Sequence, residues 1–286
     1  MYYTVVANSE IALFSFFEKV IDVYDLNTLK KLNRIYTKYE FDGNRLAINR
    51  MNNRFCSAGY NNGIALYELN SGKEIWANKT IKNIQSVFLA EKYAFVYNDL
   101  QELHILFISS GICKHCLEDI EDIYTTDVEG RYIIKRSSTL ELLEMRDGMM
   151  HVSAISAPKV NSSIHIAALF KESLIISYLH QSLMCYSLNG NLLWKSDIGK
   201  GYVLNSISMN KAKSELCCFA SYNTNVRQKD FVIHVAFQTG KVVNSFMLDE
   251  NVIDIVPIES KGLIICSNGA ILDLKSGEFL SQILQE

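Results

Sequence analysis

Residues 63–76, GIALYELNSGKEIW, read as two short strands folded back on each other. Apolar residues alternate up to Leu69, Asn-Ser-Gly supplies a tight turn whose glycine accepts a positive φ, and a second strand ends in Trp76. The same plan recurs in VIDVYDLNTLKKL (20–32), ELHILFISSGICKHC (102–116), TLELLEMRDGMMHV (139–152), SLMCYSLNGNLLWKS (182–196), FVIHVAFQTGKVVNSF (231–246) and GAILDLKSGEFLSQI (269–283). Only the 20–32 copy lacks a glycine at its turn.

The last apolar residue before each turn marks the period: Leu26, Leu69, Ile108, Met145, Leu188, Phe237 and Leu274. Successive marks lie 43, 39, 37, 43, 49 and 37 residues apart. Their mean of about 41 falls in the range of four-stranded propeller blades and excludes helical repeats, which would show a 3.6-residue apolar period. Two further short strands fit before each hairpin, for example NRLAIN (44–49) and RFCSAG (54–59), or VIDIVPI (252–258) and GLIICS (262–267). The expected fold is therefore all-β, a seven-bladed β-propeller with four antiparallel strands per blade, residues 1–286 forming one domain. The longest interval is assigned to a polar insertion, SYNTNVRQKD (221–230), read as a loop between the second and third strands of blade six. Blade one can be read as four strands from Tyr2 onward, giving closure without a swapped strand; the alternative places Tyr2 to Ala7 on the outer edge of the last blade.

LYELNSGKEIW and YSLNGNLLWKSDIG resemble the blade motif of quinoprotein-like (PQQ-like) propellers, in which the outer strand ends in tryptophan after a glycine turn; Trp76 and Trp194 occupy the matching places. The period is also similar to that of the WD-repeat superfamily, whose Gly-His and Trp-Asp dipeptides are missing here. The resemblance implies architecture. It does not imply the quinone cofactor, because quinoprotein dehydrogenases are longer, exported and eight-bladed. Cys217-Cys218 is similar to the adjacent cysteines beside that cofactor, but strand alternation sends the two side chains to opposite faces, an ordinary structural role. No cofactor is expected.

Charge and cysteine usage narrow the classes further. A formal charge of -3 argues against a nucleic-acid binder, which gains affinity by releasing counterions from phosphates. No run of about 18 apolar residues suggests a membrane span, and MYYTVVANSE lacks a basic region ahead of an apolar one, so a cytoplasmic and, from its Asn/Lys/Ile/Tyr-rich composition, bacterial protein is expected. Seven scattered cysteines read as small hydrophobes in a reducing compartment. Cys113, His115 and Cys116 form the one metal-like cluster, but structural zinc needs a second ligand pair. An extended strand would also place Cys113 and His115 on one face and Cys116 on the other, so no metal is assigned.

The six histidines lie in no nucleophile, zinc-protease or phosphate-loop motif. Residues at the end of the second strand of each blade are more informative: they read Phe17, Tyr60, Tyr97, Arg136, Tyr178, Tyr222 and Ser267, and all but Ser267 are types that anchor protein interfaces. With neighbouring Asn61, Asp99, His180 and Arg227 they define the expected partner-binding set, the competing structural role being packing between blades. The expectation is a non-catalytic protein-binding propeller. An immunity protein neutralising a cognate toxin and a scaffold or adaptor subunit are two forms of it, and a hydrolase or lyase working at a central channel is the enzymatic alternative.

Overall fold

A computed structural model describes residues 2–8, 10–16, 19–37, 45–49, 53–126, 128, 130–137, 139–156, 164–178, 182–199, 202–211, 213–223, 228–248, 252 and 255–283. Its strands form seven four-stranded antiparallel sheets, each built from four consecutive strands in simple up-and-down order. These are the seven blades, spanning residues 2–36, 46–78, 84–117, 122–155, 164–196, 203–247 and 255–282. The helical elements among the described residues are two short 3-10 turns, Asp197–Gly199 and Glu259–Lys261. The first strand, Tyr2–Ala7, pairs with Ile11–Phe16 inside blade one, so the first and last blades exchange no strand.

The strands fall into two compact units, residues 1–120, 253–273 and 279–286 in one, and residues 121–252 and 274–278 in the other. In the first unit, one core joins blade seven to blade one (Val5, Phe14, Tyr24, Ile258, Ile265, Ile271), another blades one and two, and a third blades two and three. In the second, comparable cores join blade four to five and blade five to six. Because a middle strand is covered on both faces by neighbouring blades, its sequence is a continuous apolar run. Gly63–Glu68 and Tyr93–Asn98 are buried along nearly their whole length, whereas the outer strands Glu74–Asn78 and Val242–Met247 alternate toward solvent.

The tryptophans and turn glycines fit together. The Trp194 indole packs on Gly240 in the hairpin turn of blade six and donates Nε1–H to the Phe237 carbonyl at 2.7 Å. Trp76 does the same to Gly111 and the Ile108 carbonyl at 2.8 Å, and the Phe246 ring takes the place of tryptophan over Gly277. A Cβ on Gly240 would lie 2.4 Å from the indole, so glycine here is required by the ring as well as by φ +69°. In blade one, Leu29 adopts the positive φ (56°) in place of the missing glycine, and Asp25 braces the turn by accepting from the Asn27 and Thr28 amides at 2.8 and 2.7 Å.

Two local expectations are corrected. The blade-six insertion is mostly strand: Glu215–Asn223 and Gln228–Ala236 are nine residues each and pair in register out to Asn223 and Gln228. The polar residues continue the ladder because its carbonyls and amides remain paired beyond the blade body. At Cys113–Leu117 a β-bulge slips the register, so Cys113 pairs opposite Leu106 while His115 pairs opposite Ile105 and Cys116 opposite His104. Simple alternation fails there, and both thiols share the face of His104.

Candidate functional site

In every blade the second and fourth strands run in the same direction, so the turn after the second strand and the connection to the next blade emerge at one end. The described members of the expected partner-binding set lie at that end of their own blades. Phe17, His180 and Arg227 fall outside the described residues.

In the first unit, the Tyr60 hydroxyl hydrogen-bonds to the Asp99 carboxylate, reaching from blade two to blade three. That bond pushes the hydroxyl above its ordinary value and keeps it a donor. The Arg45 guanidinium lies 5.0 Å from the Tyr60 ring centre, within cation–π range. The backbone follows the same route: Ile84 N–H donates to the Tyr60 carbonyl at 3.1 Å, and Asp99 N–H to Asn83 at 2.9 Å. Asn61 is exposed and its carbonyl accepts from Lys82 Nζ at 2.8 Å, while Tyr97 donates to the Ile120 carbonyl at 3.0 Å. Tyr60 thus ties blade two to the hairpin of blade three, and Tyr97 ties blade three to the connection that follows it. Leu100, beside Asp99 at the turn tip, is exposed.

In the second unit, Arg136 pairs with Glu141 across its own hairpin at 3.4 Å. Tyr178 is only 2% exposed and packs among Tyr124, Leu169, Ile176 and Tyr186; burial pushes its hydroxyl up to about 12. Its place at a strand end suggested an accessible ring, but packing against the preceding blade covers it. Tyr222 differs. It is 39% exposed near the tip of the long blade-six hairpin, with the Tyr202 ring 5.3 Å from it and the Phe231 ring edge-on to Tyr202 at 5.5 Å. A polar chain runs on the other face of the same hairpin: Asn205 donates to Ser221 Oγ at 2.6 Å, and Ser221 donates to Asp230 at 2.6 Å, since strand alternation turns Ser221 and Asp230 away from Tyr222 and Phe231. Lys229 is exposed opposite Tyr222. The arrangement is an aromatic cluster with a cationic neighbour on the same face.

Arg45, Tyr202 and Phe231 escape a reading of strand ends alone. Pairing arithmetic would have found Tyr202: Val203 pairs with Ser221, so the residue before Val203 meets the residue after Ser221.

Two other places carry chemistry-bearing groups. A groove of about 640 Å³ beside the blade-six hairpin turn is lined by Lys213, Glu215, His234, Asn244 and Lys275. Burial lowers the His234 pKa, and its Nδ1 lies 3.9 Å from Glu215. On blade three, Glu102, His104 and Cys116 present ligand atoms within 4.8 Å of one another, a set that could hold a metal.

No protein-family model matches the chain, and no curated protein matches it. Among solved structures, it is similar to the β-propeller domain of Cps50 (Swd1) from Myceliophteria thermophila, with a TM-score of 0.72 and 13% identity over 98% of this chain and 96% of that one. BamB from Moraxella catarrhalis gives 0.62 and 9% over 98% and 87%. The likeness lies in the fold: the chain is a seven-bladed β-propeller, as its hairpins indicate.

Proposed function

We propose that the chain is a non-catalytic propeller that binds a protein partner, with the blade-six aromatic cluster as anchor. The supporting observation is Tyr222, a large aromatic side chain held exposed near the tip of the longest hairpin. Tyr202 and Phe231 back it, and Lys229 pairs opposite it on the same face. Such a patch places rigid aromatic area where burying it against a partner costs little side-chain entropy, and Lys229 beside it offers a charged donor. The fold suits the role, since a rigid blade holds the hairpin while its tip varies.

Isolation of the tagged chain from its native cells tests this. A partner should co-purify in stoichiometric amount with the wild type and be lost with Tyr222→Ala or Tyr202→Ala, while the far-ultraviolet circular dichroism spectrum stays unchanged. Retention of the partner at equal yield by both variants refutes the assignment. The narrow form of the proposal, an immunity protein neutralising a cognate toxin, rests on fold-level analogy. Its test is protection of growth when the chain is co-expressed with a toxin-like product of the neighbouring reading frame; unprotected growth removes that form and leaves the broader one standing.

A further inference from the structure

The outer edge of blade three places three different ligand types together. Leu103–Phe107 pairs with Cys113–Leu117 so that His104 lies directly opposite Cys116, and Glu102, two residues before His104, shares their face. The Glu102 Oε2 and His104 Nε2 atoms are 3.1 Å apart. The three donor atoms, one from each residue, all lie within 4.8 Å of one another.

The surroundings hold this set in place. Asn98 is 1% exposed and donates Nδ2–H to Glu102 Oε2 at 2.7 Å, while its Oδ1 accepts the Glu102 amide at 2.9 Å. The carboxylate is therefore fixed from inside the blade by a buried amide. On the other side of the imidazole, Cys113 Sγ lies 3.9 Å from His104 Nδ1, and its own proton is directed to the His115 carbonyl at 3.2 Å. Cys116 is exposed, which leaves a path for an ion from solvent.

From this juxtaposition we infer that Glu102, His104 and Cys116 form a binding site for a zinc-class divalent cation, with water completing the coordination. A tetrahedral ion with bonds of about 2.0–2.3 Å sets its ligand atoms roughly 3.3–3.8 Å apart, so the Glu–His pair already has nearly the required spacing and the thiol closes the remainder by a side-chain rotation. Thiolate, imidazole and carboxylate together select a borderline-soft ion over calcium or magnesium, which take oxygen. Binding places the metal on the Nε2 lone pair and on the Cys116 sulfur, whose proton passes to solvent; no electron is transferred. Asn98 and Cys113 act behind the ligands, Asn98 by orienting the carboxylate and Cys113 as the neighbour of the second imidazole nitrogen.

The test is titration of the full chain, reduced and freed of metal by chelation, with Co²⁺. One equivalent should bind, giving a near-ultraviolet thiolate-to-cobalt charge-transfer band that zinc displaces. Cys116→Ser should abolish the band, His104→Ala should weaken binding at least tenfold to a hundredfold, and Cys113→Ser should keep the band. Absence of the band in the wild type, or its survival in Cys116→Ser at equal affinity, overturns the assignment. A second measurement needs no variant: one equivalent of zinc should protect Cys116 from iodoacetamide alkylation, read by peptide mass spectrometry. Equal modification with and without zinc likewise overturns it.

Discussion

Replacing Gly240 by alanine probes how one blade is fastened to the next. The new Cβ would lie 2.4 Å from Trp194 Cε3 and 2.7 Å from Cδ2, roughly 0.8–1.1 Å inside the ordinary carbon–carbon contact of about 3.5 Å. The indole cannot retreat freely, because it is 8% exposed and tethered to the Phe237 carbonyl at 2.7 Å. Overpacking costs about 1–3 kcal/mol, the positive φ a further 1–2 kcal/mol or so, and the stiffer unfolded chain offsets about 0.4–1 kcal/mol. Gly240→Ala should therefore destabilise by roughly 2–4 kcal/mol, measured as the shift in urea unfolding followed by circular dichroism. In a Trp194→Ala background the collision vanishes and only the backbone cost remains, so the two substitutions should show a coupling of about 1–3 kcal/mol. Additive effects would refute the reasoning, because they would mean that Gly240 is needed for its φ alone.

Three other outcomes follow from the same geometry. Asp22 is buried in blade one between Arg34, which holds it bidentately at 2.7 and 2.8 Å, and Lys31. Burial raises its carboxyl, but the two cations more than offset this and hold it below its ordinary value. Its contribution is thus present above about pH 4 and lost as pH falls through the lower folded value, and Asp22→Asn should flatten the acid limb of a stability-versus-pH curve. His234 runs differently: burial lowers its pKa against the opposing pull of Glu215, so folding favours the neutral ring and stability should fall as pH drops below about 6.5. His234→Phe should remove that slope in thermal melts between pH 7 and 5; an unchanged slope would contradict the assignment. Tyr60→Phe should raise hydrogen exchange in residues 98–101 by removing the tie to Asp99, and unaltered exchange there would show that the backbone bonds suffice.

The blade count was readable because each hairpin signals itself twice, through period-two apolar residues and through a turn glycine. Gly72, Gly111, Gly190, Gly240 and Gly277 all adopt the positive φ expected of them. The tryptophans supporting the family resemblance turned out to be the rings that lie on those glycines, which is why they mark architecture. The site was less legible. Strand ends can be located from sequence, but whether an aromatic ring there is covered depends on the neighbouring blade, and Tyr178 and Tyr222 occupy similar positions with opposite exposure. The Glu102–His104–Cys116 grouping was hidden for a related reason. Its members come from paired strands, and the bulge that returns Cys113 to the same face has no marker in the spacing of Cys113, His115 and Cys116.

Hydrogen–deuterium exchange on the chain alone and in complex with its co-purified partner tests the binding account most directly. Protection should appear in the blade-six hairpin, at the amides around Tyr202, Tyr222 and Phe231. Protection confined to the opposite end of that blade, at the turn around Thr239 and Gly240, with no change at Tyr222, would contradict it.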